Sequence, residues 1–198
     1  MKNTAYGNRS IWTSSVFVAL VAGVVGFADP APGFAAGKST DVGHVGLGAA
    51  WQPLQIANAG YSANSGYVTA RYWFSKKFGI DGGLGLGLPR TSSPTQFQMN
   101  ISVTPMYALK RWGTSVFYAD AQVIPAILTG GGTSFLMSFS GGIGIESALP
   151  GLDNIRWYAQ LNPVSIDYYN PAGPGDSTVG LDFLGAVMPV SFGLHYYF

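Results

Sequence analysis

Ionisable side chains are scarce in this chain, so the few present stand out. Arg71 and Asp81 lie symmetrically about residue 76, and Glu146 and Arg156 about residue 151. Antiparallel pairing about those centres sets each acid opposite its arginine on one face of a sheet. Asp120 falls on the same inward face, a turn higher. Such groups could form ion pairs or supply the acid of a hydrolytic site. A hydrolase of the serine type also needs a histidine base beside an exposed serine. Histidine occurs twice, at His44 and His195, and neither lies in a His-x-Ser arrangement. There is no cysteine, hence no thiolate nucleophile or ligand. No Asp, Glu and His cluster has metal-ligand spacing. The glycine spacings at 43–48 and 83–87 fall inside strand-like stretches, not at a strand-to-helix turn, so they do not form a nucleotide loop. Catalysis, a cofactor and a metal are therefore not expected.

The elements that must position these groups are strands. In "FQMNISVTPMYAL", 97–109, the odd positions Phe97, Met99, Ile101, Val103, Pro105, Tyr107 and Leu109 are apolar and the even ones mostly polar. Period-two alternation marks a strand with two different faces. The same reading holds for 43–51, 67–74, 78–88, 115–127, 135–146, 155–161 and the closing 190–198, which makes eight strands. Short links such as "SKK", "KRWG" and "SALPGLDN" alternate with mostly longer Gly, Pro, Ser and Asn-rich segments at 52–66, 89–96, 128–134 and 163–179. Pro105 and Pro125 each predict a bulge or a position above any membrane, because proline has no ladder donor.

Composition says where the apolar face points. Charged residues are 10% of the chain and aromatics 14%, with 28 glycines. That is far below the ~25% charge of soluble domains. The net charge of +1 gives no reason to expect nucleic acid. The N-terminus reads as an export signal over 1–36: Lys2 and Arg9, the apolar run "VFVALVAGVVGFA", then small residues that allow cleavage after Ala28 or after Ala35/Ala36. No later apolar run is long enough for a membrane helix. A chain that enters lipid without helices must close its sheet, since an open edge leaves backbone groups unsatisfied. The expected fold is all-β: an eight-stranded antiparallel up-and-down transmembrane β-barrel over 37–198, as one domain.

Aromatic placement agrees. With both ends of the barrel in the periplasm, the outward residues nearest the short turns are Tyr72, Phe74, Phe78, Tyr107, Phe117, Trp157, Tyr196 and Phe198. Trp51, Phe97 and Phe135 sit at the other rim. This is the pattern of interfacial girdles. The export signal, the alternating strands, "ARYWFSKKFGIDGGLGLGL" and the closing "FGLHYYF" resemble the small eight-stranded outer-membrane proteins of the OmpA-barrel, OmpX and opacity type. The resemblance is one of pattern over most of the mature chain. It implies that Phe192, Leu194, Tyr196 and Phe198 form a terminal strand read by the barrel-assembly machinery. It also implies a monomer in the bacterial outer membrane, surrounded by lipid and lipopolysaccharide. Some barrels of this size edit lipid A, but the histidine arrangement of that family is missing here.

An eight-stranded barrel is filled by side chains or holds one small ligand. The inward glycines Gly46, Gly48, Gly79, Gly83, Gly85, Gly87, Gly142 and Gly144 are expected opposite the large inward rings Tyr67, Trp73, Tyr118 and Tyr158. Arg71–Asp81 and Glu146–Arg156 are expected as a charged layer closing the periplasmic half. His44 and His195 are expected beside one another across the seam between the first and last strands. The function this implies is structural or surface-interacting. The alternatives are a narrow conduit or binder for a small hydrophobic solute, as in OmpW-like barrels, and a soluble secreted β-sandwich.

Overall fold

The computed structural model describes residues 42–56, 61–89, 97–129, 132–173, 175–183 and 190–198. The expected export signal over 1–36 lies outside the described residues. Nine strands are present: β1 Val45–Ile56, β2 Tyr61–Trp73, β3 Phe78–Pro89, β4 Phe97–Trp112, β5 Ser115–Thr129, β6 Thr133–Leu149, β7 Leu152–Asn170, β8 Thr178–Phe183 and β9 Val190–Tyr197. Consecutive strands from β1 to β7 pair antiparallel, and β9 pairs with both β7 and β1. The result is a closed, eight-stranded, up-and-down barrel with β8 as an extra strand. One ring of strands replaces the two packed sheets of a sandwich, so that alternative is set aside. The far half of β7 and the first residues of β8 occupy part of the segment 163–179 expected as a long loop, and β8 runs on to Phe183. It pairs with the far half of β7, Val164–Tyr169, while β9 pairs with the near half, Ile155–Leu161.

The two faces sort as the alternation requires. Along β4, Gln98, Asn100, Ser102, Thr104, Met106 and Ala108 are buried, while Phe97, Met99, Ile101 and Val103 are 41–47% exposed. Rings form a band on the outer wall: Phe74 stacks on Phe78 at 6.3 Å, and Phe78 meets Tyr107 edge-on at 5.1 Å.

Of the two placements expected for Pro105 and Pro125, a bulge or a position above any membrane, the bulge is not found at either. The β4–β5 ladder is interrupted beside Pro105 and beside Pro125, yet Asn100↔Ala126, Val103↔Val123 and Met106↔Asp120 keep one register. Each proline removes a donor without inserting a residue. The extra residue of β4 is instead Leu109, between Ala108↔Tyr118 and Lys110↔Phe117. In β7 the bulge falls at Asn162–Pro163, between Ile143↔Leu161 and Gly141↔Val164. Here proline does mark a bulge, as its missing N–H favours.

Inward glycines make room for inward rings. A Cβ on Gly79 would lie 2.7 Å from the Trp73 ring. On Gly144 it would overlap Tyr118, and on Gly193 it would overlap Tyr158. The lumen is therefore packed by pairing residues without side chains against the largest ones.

Candidate functional site: the barrel interior

The turn Ser75–Lys77 fixes the first charged pair. Ser75 Oγ accepts from the backbone N–H groups of Lys77 (3.1 Å) and Phe78 (2.9 Å). That tight turn keeps β2 and β3 in register about residue 76, so Arg71 faces Asp81. Arg71 Nε donates to Asp81 Oδ2 at 2.7 Å, and Nη2 lies 2.6 Å from the same oxygen. The expected pair is formed.

The second pair is not. After Leu149↔Leu152, β7 inserts Asp153, Asn154 and Ile155 without partners on β6, and pairing resumes at Ala148↔Arg156. The insertion sets Glu146 opposite Tyr158 instead of Arg156. Glu146 is held by other groups. Its Oε2 accepts from Trp73 Nε1 at 3.1 Å and from Arg71 Nη1 at 3.3 Å, and Tyr197 Oη donates to its Oε1 at 2.6 Å. Arg156 Nη1 donates to the Thr114 carbonyl at 2.8 Å, and its guanidinium sits 5.4 Å from the Tyr197 ring centre. Arg71 also lies over Tyr158 at 4.1 Å. The charged layer thus exists with Arg71 at its hub, bridging two carboxylates, and with aromatic faces as its walls.

The histidines separate. The β1–β9 register sets Gly48 opposite His195, so His44 is four residues further along β1, ~13 Å at strand rise. It is exposed beyond the paired rim, where its Nδ1 hydrogen-bonds the Phe198 carbonyl. His195 is buried, bonded through Nε2 to Thr69 Oγ1 at 2.9 Å and stacked on Tyr158 at 5.1 Å. Leu194, Tyr196 and Phe198 point outward, with Phe192 half-buried in the same row.

Above the charges lies an amide layer. Gln52 and Gln122 bond reciprocally at 2.7 and 3.2 Å. Asn162 contacts Gln122 at 3.0 Å and Ser140 at 3.1 Å. Gln160 Nε2 donates to Asp120 Oδ1 at 3.0 Å, which gives the inward Asp120 an amide partner. Between the two layers is a polar void about one water molecule in size, lined by Thr69, Asp81, Ser102, Thr104, Gln122, Gln160 and Ser191 among others. Higher still, Ile124, Ala126, Leu128 and Leu136 form an apolar cluster with Tyr169 against it. Sequence reasoning had the parity to find Trp73, Tyr197 and the amides as inward. It lacked the register across non-adjacent strands that brings Trp73 and Tyr197 onto Glu146.

Chemically, this interior holds charge and fills space. Among the described residues no three His, Cys, Asp or Glu side chains converge as metal ligands. Among the described residues the hydroxyl partner of the buried His195 is Thr69, not a serine. No protein family and no curated protein matches this sequence.

Proposed function

We propose that this chain is an integral protein of the bacterial outer membrane with a structural or surface-interacting role and no catalysis. One observation carries the reading: the closed wall is apolar outside and polar inside. Leu47, Val68, Leu84, Leu86, Leu109 and Leu194 are each at least half exposed, while Arg71, Glu146, Gln98, Asn100 and His195 are buried at about 1% or less. A water-soluble globule is arranged the other way. Lipid is the solvent that makes such an outer face stable. The aromatic bands at Phe74, Phe78 and Tyr107 and at Tyr196 and Phe198 suit the interfaces. Lipid and lipopolysaccharide are then the surrounding partners, the assembly machinery acts on the β9 strand, and the barrel works as a monomer.

The filled lumen supports a wall or platform over a pore. Cell fractionation combined with gel mobility before and after boiling tests location and fold. The expected result is outer-membrane recovery and a faster-running unboiled band. Recovery in the soluble periplasm overturns the proposal. In planar bilayers the refolded protein is expected to give no steady conductance. The apolar cluster of Ile124, Ala126, Leu128 and Leu136 favours a second reading, binding of a small hydrophobic solute in the outer half of the lumen. Stoichiometric uptake of an apolar probe that Leu136→Asn abolishes would support it.

A further inference from the structure

A second group of acids lies beyond the amide layer, on the inner face where β8 extends the sheet. Past the Asn162–Pro163 bulge the inward parity of β7 passes to odd residues, so Ser165 and Asp167 face in. The register puts Ser138, Asp167 and Gly180 in one cross-strand row. Ser140, Ser165 and Asp182 form the next. On β8, Val179, Leu181 and Phe183 are exposed on the outer face, which leaves Gly180 and Asp182 facing in. Asp167 and Asp182 are therefore diagonal neighbours on one face, ~7–8 Å apart at the backbone.

Asp167 is 1% exposed. Its Oδ2 accepts from Ser165 Oγ at 3.0 Å, while its Oδ1 is buried with no donor in hydrogen-bond geometry among the described residues, although Ser138 and Asp182 lie beside the carboxyl. Among the described residues, no cationic side chain forms an ion pair with Asp167 or Asp182. A buried carboxylate oxygen lacking a donor is costly, and a second carboxylate alongside adds repulsion. The Asp81 carboxylate lower in the lumen meets this demand with Arg71; among the described residues Asp167 has no such partner. On one side it borders the apolar cluster of Leu136 and Tyr169; the polar groups the register sets beside it are oxygens, those of the Asp182 carboxylate and of the Ser138 and Ser165 hydroxyls. Gly180, opposite Asp167, places no side chain in the space. Oxygen-only donors on adjacent strands suit a hard cation that tolerates irregular geometry, and calcium takes six to eight oxygens at about 2.3–2.6 Å.

The geometry points to a divalent cation of the calcium class bound between Asp167 and Asp182, with Ser138 and Ser165 on its protein side and water completing the shell. The site needs the β6–β7–β8 sheet and does not depend on the membrane reading. Tyr168 and Tyr169 flank Asp167, so tyrosine-sensitised terbium emission reports occupancy. Refolded full-length protein in detergent, its fold checked by mobility before and after boiling, is titrated with terbium chloride and then calcium chloride. The expected result is saturable emission, displaced by calcium but not by sodium at equal ionic strength. Asp167→Asn and Asp182→Asn should each weaken it about tenfold or more. Asp153→Asn, in the exposed turn at the opposite rim, should leave it unchanged. Asp182 is the more exposed of the two acids, so its variant decides the matter if Asp167→Asn fails to fold. Absence of saturable emission, or emission equally strong in a folded Asp182→Asn variant, overturns the proposal.

Discussion

Arg71 and Glu146 belong to strands that do not adjoin, and their side chains meet across the lumen at 3.3 Å. With Asp81 on its other side, Arg71 balances two carboxylates at once. Arg71→Ala should therefore cost about 3–5 kcal/mol, because it leaves buried acids uncompensated. Urea unfolding in detergent micelles measures this. The Arg71→Ala/Glu146→Ala double variant should lose clearly less than the two single losses added together. The Glu146→Ala/Arg156→Ala pair should come closer to additivity, because Tyr197 stands between them, donating to Glu146 and offering its ring to the Arg156 guanidinium. Equal coupling in both cycles would refute the hub role of Arg71.

The two histidines should respond unequally to truncation. His195 is enclosed by Thr69 and Tyr158, so His195→Ala leaves a cavity and an unpaired hydroxyl and should lower stability by about 2–4 kcal/mol. His44→Ala, at the exposed rim, should change it by about 0.5 kcal/mol or less. The same unfolding assay separates them, and similar losses would contradict the register that parts them.

Glycine positions give a sharper contrast. Gly144→Ala drives a methyl into the Tyr118 ring and should cost about 1–3 kcal/mol. At Gly82 a Cβ would meet nothing closer than 4.0 Å. Gly82→Ala should be neutral or stabilising by about 0.5–1 kcal/mol through reduced backbone freedom. A shift of the Gly144→Ala midpoint no larger than that of Gly82→Ala would show that the lumen can repack.

Phe198 is 66% exposed and packs edge-on to Tyr196 at 5.0 Å. Phe198→Ser should leave the interior intact but reduce the fraction of protein that reaches the folded, fast-migrating form in cells. Refolding of the purified variant in detergent should be near normal. A defect of equal size in both settings would place the role of Phe198 in barrel stability instead of assembly.

What the sequence made legible was everything governed by period two. The faces of Phe97, Ile101 and Val103, the inward glycines and the Arg71–Asp81 pair follow from parity and from a short symmetric turn. What it hid were insertions. Asp153 and Asn154 look like any other part of "SALPGLDN" and Ile155 like the start of the next strand, yet together they move Arg156 away from Glu146. The overhang that strands His44 beyond the rim depends on how β9 docks on β1, which no local pattern encodes. Nor does alternation reveal that Asp167 is inward, since its parity is reversed by the bulge at Pro163.

The seam has a kinetic consequence. It joins Gly46 to Tyr197, and His44 to the Phe198 carbonyl across 154 positions. Contacts of such sequence separation form late, since the chain's configurational entropy must be overcome before they reward it. Until β9 docks, the curling sheet has two unsatisfied edges, on β1 and on β7, each able to pair with another copy. The most hazardous moment in the life of this barrel is thus the interval before its last strand arrives. Sheltering that strand, or delivering it already beside the first, would do more for the yield of native protein than any added contact within the finished wall.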